Sequence, residues 1–224
     1  MGDNILIPTI LQSSLEQFDS LGNHVLSEEI NAIVKKHAMM AMGASFIPIP
    51  GASLAALYAN DLYMFKEIND CLGIRFSNSQ IKTIAIAIGT ELGAFWLAKK
   101  GIFEMVKFLP GFGALAGGML RAASEAAEIY VVAIIYYHIL SITKTADRET
   151  LTDDYLKKIV RECMTQRQEE LKSIFLSAKS IFKKADPSAI KKAEKEIKNQ
   201  MDKDTSKEYM DVVQALKDTK PSTK

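Results

Sequence analysis

The sequence predicts an all-α protein, a compact Gly/Ala-rich helical bundle with a charged helical C-terminal extension. Apolar residues recur at helical rather than strand spacing along most of the chain. Helix starts and stops are punctuated by Ser, Thr and Asp before apolar runs and by Gly or Pro after them. Strand-like alternation is confined to Ile81–Ile88, and that run continues through Leu92 and Trp96, too long for a typical strand. Three regions follow: an N-terminal helical segment (1–36), an apolar helical core (37–145) and a charged helical tail (146–224).

Each element has a local reason. The N-terminal segment supplies one or two short helices. A helix from about Ser27 to Ala44 has Ser27 as N-cap, with Glu28 and Glu29 against the positive end of its dipole. The next starts after Pro50-Gly51, with Ser53 as its candidate cap, and stops at Gly73. Ser77-Asn78-Ser79 caps a helix from about Ser79 to Lys100, ended by Gly101. A short helix, Ile102 to Leu109, stops at Pro110. The longest begins after Gly113 and reaches about Thr143. In the tail, Thr152 caps a helix with Asp153 and Asp154 in its first turn. Its apolar seam reads Leu156, Val160, Cys163, Leu171, Ile174, Ala178 and Ile181. Asp186-Pro187 and Thr205-Ser206 open two further helices.

Composition excludes several classes. The 224 residues carry a net charge of +1, which gives no steering field toward DNA or RNA. The stretch to Lys36 is net acidic, the block from His37 to Ile142 balances its charges, and the rest is densely charged with an excess of cations. Cys71 and Cys163 lie far apart in no motif, which suits two free buried thiols in a reducing compartment. Met1-Gly2-Asp3-Asn4 lacks the basic start of a signal peptide. The expected location is cytoplasmic, with the chain either soluble, peripheral to the inner membrane or conditionally inserted in it.

The most informative stretch is His37–Ile142, which two Pro-Gly breaks interrupt. Phe46-Ile47-Pro48-Ile49-Pro50-Gly51-Ala52 is echoed by Phe108-Leu109-Pro110-Gly111-Phe112-Gly113-Ala114. Here the chain resembles the domain of unknown function found beside small-GTPase domains in bacteria and in YcjF-type inner-membrane proteins. The matching positions are Pro48, Pro50, Gly51, Ala52, Pro110, Gly111, Gly113, Gly117, Gly118 and Tyr130, and the likeness covers about residues 35–142. It implies an α-helical, membrane-associated module. No Gly-x-x-x-x-Gly-Lys-Ser/Thr occurs, so a GTPase would be a partner supplied in trans.

Gly89 and Gly93 lie four apart in one core helix, and Gly113 and Gly117 open another. Small residues at this spacing let helix backbones approach closely, in a lipid-facing or oligomeric interface or inside one subunit. They are candidates for helix packing or a membrane face, together with Pro48, Pro50, Gly51, Pro110, Gly111 and Gly118. The sequence shows no clean transmembrane span. His37–Asn60 is broken by Pro48, Pro50 and Gly51, and Ile129–Thr143 is short and preceded by Glu128, Glu125 and Arg121. An ion at the bilayer centre costs ~2.5–3.5 kcal/mol on insertion scales. Arg121 and Glu125, four apart, are a candidate buried ion pair. Two hairpin-like halves, Ile84–Ala98 and Leu115–Ile142, favour conditional over constitutive insertion.

No catalytic, cofactor-binding or metal residue is expected. Glu91, Glu125 and Glu128 lack the Glu-x-x-His partner of a bundle metal site, and His24, His37 and His138 are scattered. The lysines from Lys179 to Lys198 are interrupted by Asp186, Glu194 and Glu196, and read as a solvated helix face. The function expected is a non-enzymatic, membrane-associating helical module that self-assembles or docks a partner; membrane lipid, a second copy or a protein are its candidate partners, and nucleic acid is not. The alternative is a soluble adaptor whose tail seam binds a partner helix.

Overall fold

The apolar block folds around one long helix. The computed structural model describes residues 9–44, 52–98, 116–146 and 148–174, with side chains over 15–42, 57–94, 122–146 and 149–174. The α-helices are α1 (Thr9–Gly22), α2 (Glu28–Ala44), α3 (Ala52–Leu72), α4 (Asn78–Ala98), α5 (Ala116–Thr143) and α6 (Asp153–Gln166). A 3₁₀ turn at Arg148–Thr150 precedes α6, and residues 168–174 continue as helix after a break at Arg167. Among the described residues there is no strand, so the fold is all-α.

The start signals act as their chemistry predicts. Ile30 N–H reaches Ser27 Oγ at 3.5 Å ahead of α2. At α4 the cap is reciprocal: Gln80 N–H donates to Ser77 Oγ (3.2 Å), and Ser77 N–H donates to Gln80 Oε1 (2.9 Å). That is a capping box, which satisfies two amides that the first turn leaves without helical partners. Thr152 accepts from Tyr155 N–H at 3.3 Å. Gly73, at φ 66°, ends α3 in the left-handed conformation, and Ile74 N–H returns to Asn69 C=O at 2.9 Å. Helix α3 begins at Ala52, so Ser53 lies inside its first turn rather than capping it.

Helix α5 is the axis, with every side chain from Ile129 to Tyr136 buried. A helix that is apolar on all sides requires neighbours on all sides. Helices α1 and α2 cover one flank, where Phe18 and Tyr130 meet at 5.8 Å between ring centroids. Helix α3 covers another, where Phe65 stacks on Tyr136 at 3.8 Å and 7°. The third flank is closed by α6, which also packs along α4. Gln80 Nε2 donates to Leu151 C=O (3.3 Å), Thr83 Oγ1 to Asp153 Oδ1 (2.9 Å) and Arg161 Nε to Glu91 Oε1 (3.0 Å). Residue numbers rise together along both helices, so α4 and α6 run parallel.

One hydrophobic cluster runs from Leu15 and Phe18 through α2–α5 to Leu156, Val160, Cys163, Leu171 and Ile174. The tail seam, read from sequence as a surface for a partner helix, is therefore occupied within the chain as far as Ile174. The sequence showed a seam but not its partner, because spacing marks a buried stripe without naming what buries it. Ala178, Ile181, the short helix at Ile102–Leu109, the helices after Asp186-Pro187 and Thr205-Ser206, and the lysine run all lie outside the described residues.

Candidate functional site

Two features stand apart from ordinary core packing: an open face on α4 and a buried polar seam between helices. On α4, Lys82, Ile86, Gly89, Thr90, Gly93 and Ala94 are exposed, and Ile86 is 58% accessible. A Cβ added to Gly89 or Gly93 would meet nothing within 4 Å among the described residues. Among the described residues, no helix packs closely on either glycine. Each costs about 1 kcal/mol of helix stability against Ala, and no described residue approaches them closely in return. The Thr90 hydroxyl donates to Ile86 C=O at 2.8 Å, which satisfies its donor within the helix. Glu91, beside this face, is paired with Arg161 of α6. The face is thus uncharged from Thr83 to Ala94 apart from one carboxylate already engaged.

Of the other candidate residues, Pro48, Pro50, Gly51, Pro110, Gly111 and Gly113 lie outside the described residues. Gly117 and Gly118 fall in the first turn of α5. Glu125 is buried at 6% accessibility, and the Arg121 side chain is outside the described ones.

The buried seam contains side chains that sequence reasoning passed over. His37 Nδ1 and Asn60 Oδ1 are 2.7 Å apart, and Asn60 Nδ2 donates to His37 C=O at 3.0 Å. With its amide nitrogen so committed, Asn60 presents an acceptor, and His37 carries its proton on Nδ1. His37 Nε2 faces Glu67 Oε2 at 3.5 Å, and Lys36 holds both oxygens of that carboxylate. Burial lowers the His37 pKa, and Asn60 and Glu67 only partly oppose it. Burial pushes Glu67 upward, but Lys36 and His37 outweigh it and leave the carboxyl below its usual range. A similar bridge joins α1 to α2, where Asn31 Nδ2 donates to Asp19 Oδ1 (2.6 Å) and Asn23 Oδ1 (2.9 Å). Tyr136 donates to Asn69 Oδ1 at 2.9 Å. The signal available in sequence was an Asn inside an apolar stripe, as with Asn60 between Leu57 and Met64.

Of the two cysteines expected to be buried, Cys163 is and Cys71 is exposed. Glu125 of α5 is buried, and Asp61 of α3 and Glu128 of α5 are half-buried. Burial, and then the charge of Glu128, holds Asp61 well above the ordinary carboxylate range. Glu128 is pushed up to about 7 by burial and then by Glu125. The Asp61 Oδ1 is buried with no hydrogen-bond partner among the described residues. Among those residues, no group of three His, Cys, Asp or Glu side chains is placed to hold a metal ion. An open polar groove of about 510 Å³ lies along Thr165–Glu170.

Within α5, the 22 residues Ala122–Thr143 are long and apolar enough to cross a membrane, and most of them are buried in the bundle. This span is longer than the Ile129–Thr143 stretch legible in sequence, because Glu125 and Glu128 interrupt it without ending it. The geometry defines an all-α bundle built on one strongly apolar helix, with a second apolar helix open on its outer face.

Among known proteins, the chain is similar to one named magnetosome membrane protein 22, from Magnetospirillum gryphiswaldense (strain DSM 6361 / JCM 21280 / NBRC 15271 / MSR-1). The two are 22% identical over 118 residues, 53% of this chain and 59% of the relative. The chain thus spans less than two thirds of that relative's length. No protein-family profile matches the chain, and no solved structure matches it.

Proposed function

We propose that the chain is a non-enzymatic helical module that associates peripherally with a membrane and docks a helix, from a second copy or a partner, on the outer face of α4. The observation that carries this reading is that face: Ile86 stands exposed beside Gly89 and Gly93, whose backbones are free to be approached. Glycines four apart suit close helix–helix contact, and here no described part of the subunit makes that contact. The likeness to a magnetosome membrane protein supports the membrane half of the proposal. The resemblance to the GTPase-associated family supports it too, and adds a GTPase in trans as the partner class. Burial of most of Ala122–Thr143 inside the bundle supports surface attachment over spanning. Exposed Met39 and Met40 of α2 and Tyr58 and Tyr63 of α3 add apolar side chains suited to a lipid interface.

The test combines sedimentation velocity with flotation on vesicles containing anionic lipid. The wild-type chain self-associates and floats, and Ile86→Glu loses self-association with an unchanged melt. A wild-type chain that stays monomeric and fails to float at every pH from 5 to 8 would overturn the proposal.

A further inference from the structure

We propose that the contact between Arg167 and His138 is a proton-operated latch that holds residues 168–174 against α5 and releases them on acidification. The inference is independent of what the α4 face docks.

The helix of the tail breaks at Arg167, with φ −112° and ψ 15°, and resumes over 168–174. Arg167 N–H still reaches Cys163 C=O at 3.2 Å, and Leu171 N–H reaches Arg167 C=O at 3.0 Å. Arg167 is thus the joint between α6 and the last described segment. Beyond it, Leu171 and Ile174 are buried in the common core.

At the joint, Arg167 Nη2 lies 3.1 Å from His138 Nδ1, and Arg167 Nη1 donates to Glu170 Oε2 at 2.6 Å. A guanidinium has donors only, so His138 Nδ1 is the acceptor and the neutral ring carries its proton on Nε2. That Nε2 is buried without a hydrogen-bond partner among the described residues. The ring is thus held on one side only, by the residue at which the tail hinges.

A proton on Nδ1 replaces the acceptor with a donor. The hydrogen bond is lost and two cations face each other across 3.1 Å. The charged groups acting on the ring are Arg167 and Glu170, both from the hinged segment. Among the described residues no charged group of α1–α5 acts on it, and its neighbour on α5 is the Tyr137 ring, edge-on at 6.1 Å. Burial and then Arg167 lower the His138 pKa, and Glu170 only partly opposes them. His138 and Arg167 are each only half-buried, which leaves the joint in contact with water.

The sign follows from linkage. The docked pKa lies below that of a free histidine, so the undocked state binds the proton more tightly. Docking is at full strength above about pH 6.5. It weakens as pH falls from there to the docked pKa, by up to about tenfold in the opening constant per pH unit.

Hydrogen exchange read by mass spectrometry on the full chain, corrected for intrinsic exchange, tests this between pH 7.5 and 5.0. The expected result is a fall in protection confined to peptides covering 168–174, beginning near pH 6.5, while α3 and α5 keep theirs. His138→Gln offers Arg167 an acceptor that takes no proton, and keeps 168–174 protected throughout. Arg167→Met lowers protection at pH 7.5 and removes the further fall. Flat protection of 168–174 in the wild type would overturn the latch, as would either variant reproducing the wild-type pH response.

Discussion

Replacing Glu128 with Gln should stabilise the protein at alkaline pH and leave it almost unchanged in acid. Glu128 titrates near 7 in the bundle against a reference of 4.5, because burial and then the Glu125 charge disfavour its ionised form. A difference of about 2.5 units, at 1.36 kcal/mol each, is about 3 kcal/mol. Below pH 4.5 both states are protonated and the carboxyl imposes no penalty. Between 4.5 and 7 the unfolded chain ionises first, so stability falls as pH rises, and above 7 the full penalty applies. Gln keeps the shape and carries no charge. It also relieves Asp61, which Glu128 pushes upward. Urea unfolding at pH 8 should therefore show Glu128→Gln more stable by about 3 kcal/mol, or roughly 6–12 °C in Tm for a chain of this size. At pH 4.5 the two curves should nearly coincide. Equal differences at both pH values, or a less stable variant at pH 8, would refute the view that a charged carboxyl is buried there.

Asn60→Ala removes both bonds to His37 and leaves its Nδ1–H unsatisfied in the core. Thermal melts should show a loss of about 2 kcal/mol, the penalty of an orphaned buried donor with some lost packing. Gly89→Ala with Gly93→Ala should raise stability by up to about 2 kcal/mol, because the new methyls meet no described residue and Ala is the better helix former. The same double variant should weaken self-association in sedimentation velocity. A lower melting temperature would mean that the glycines serve the fold itself.

Local signals were legible because they act within one turn. The caps at Ser27, Ser77 and Thr152 and the stop at Gly73 each fix a helix end through bonds within about one turn, and these ends fall close to where the sequence puts them. Long-range pairings were not legible. Glu91 reads as an isolated charge in an apolar helix, but it meets Arg161 seventy residues on. His37 and His138 read as scattered histidines, yet Asn60 and Arg167 select their neutral tautomers. The direction of the α4 glycines was open for the same reason. Spacing places Gly89 and Gly93 on one face, and only the packing of α3 and α6 leaves that face outside.

The central claim, peripheral membrane association by a self-contained bundle, is tested most directly by fractionating cells that express the chain and washing the membrane pellet with alkaline carbonate. The chain should sediment with membranes and be released by the wash. Retention after the wash would contradict burial of α5 within the bundle, and recovery wholly in the soluble fraction would contradict membrane association itself.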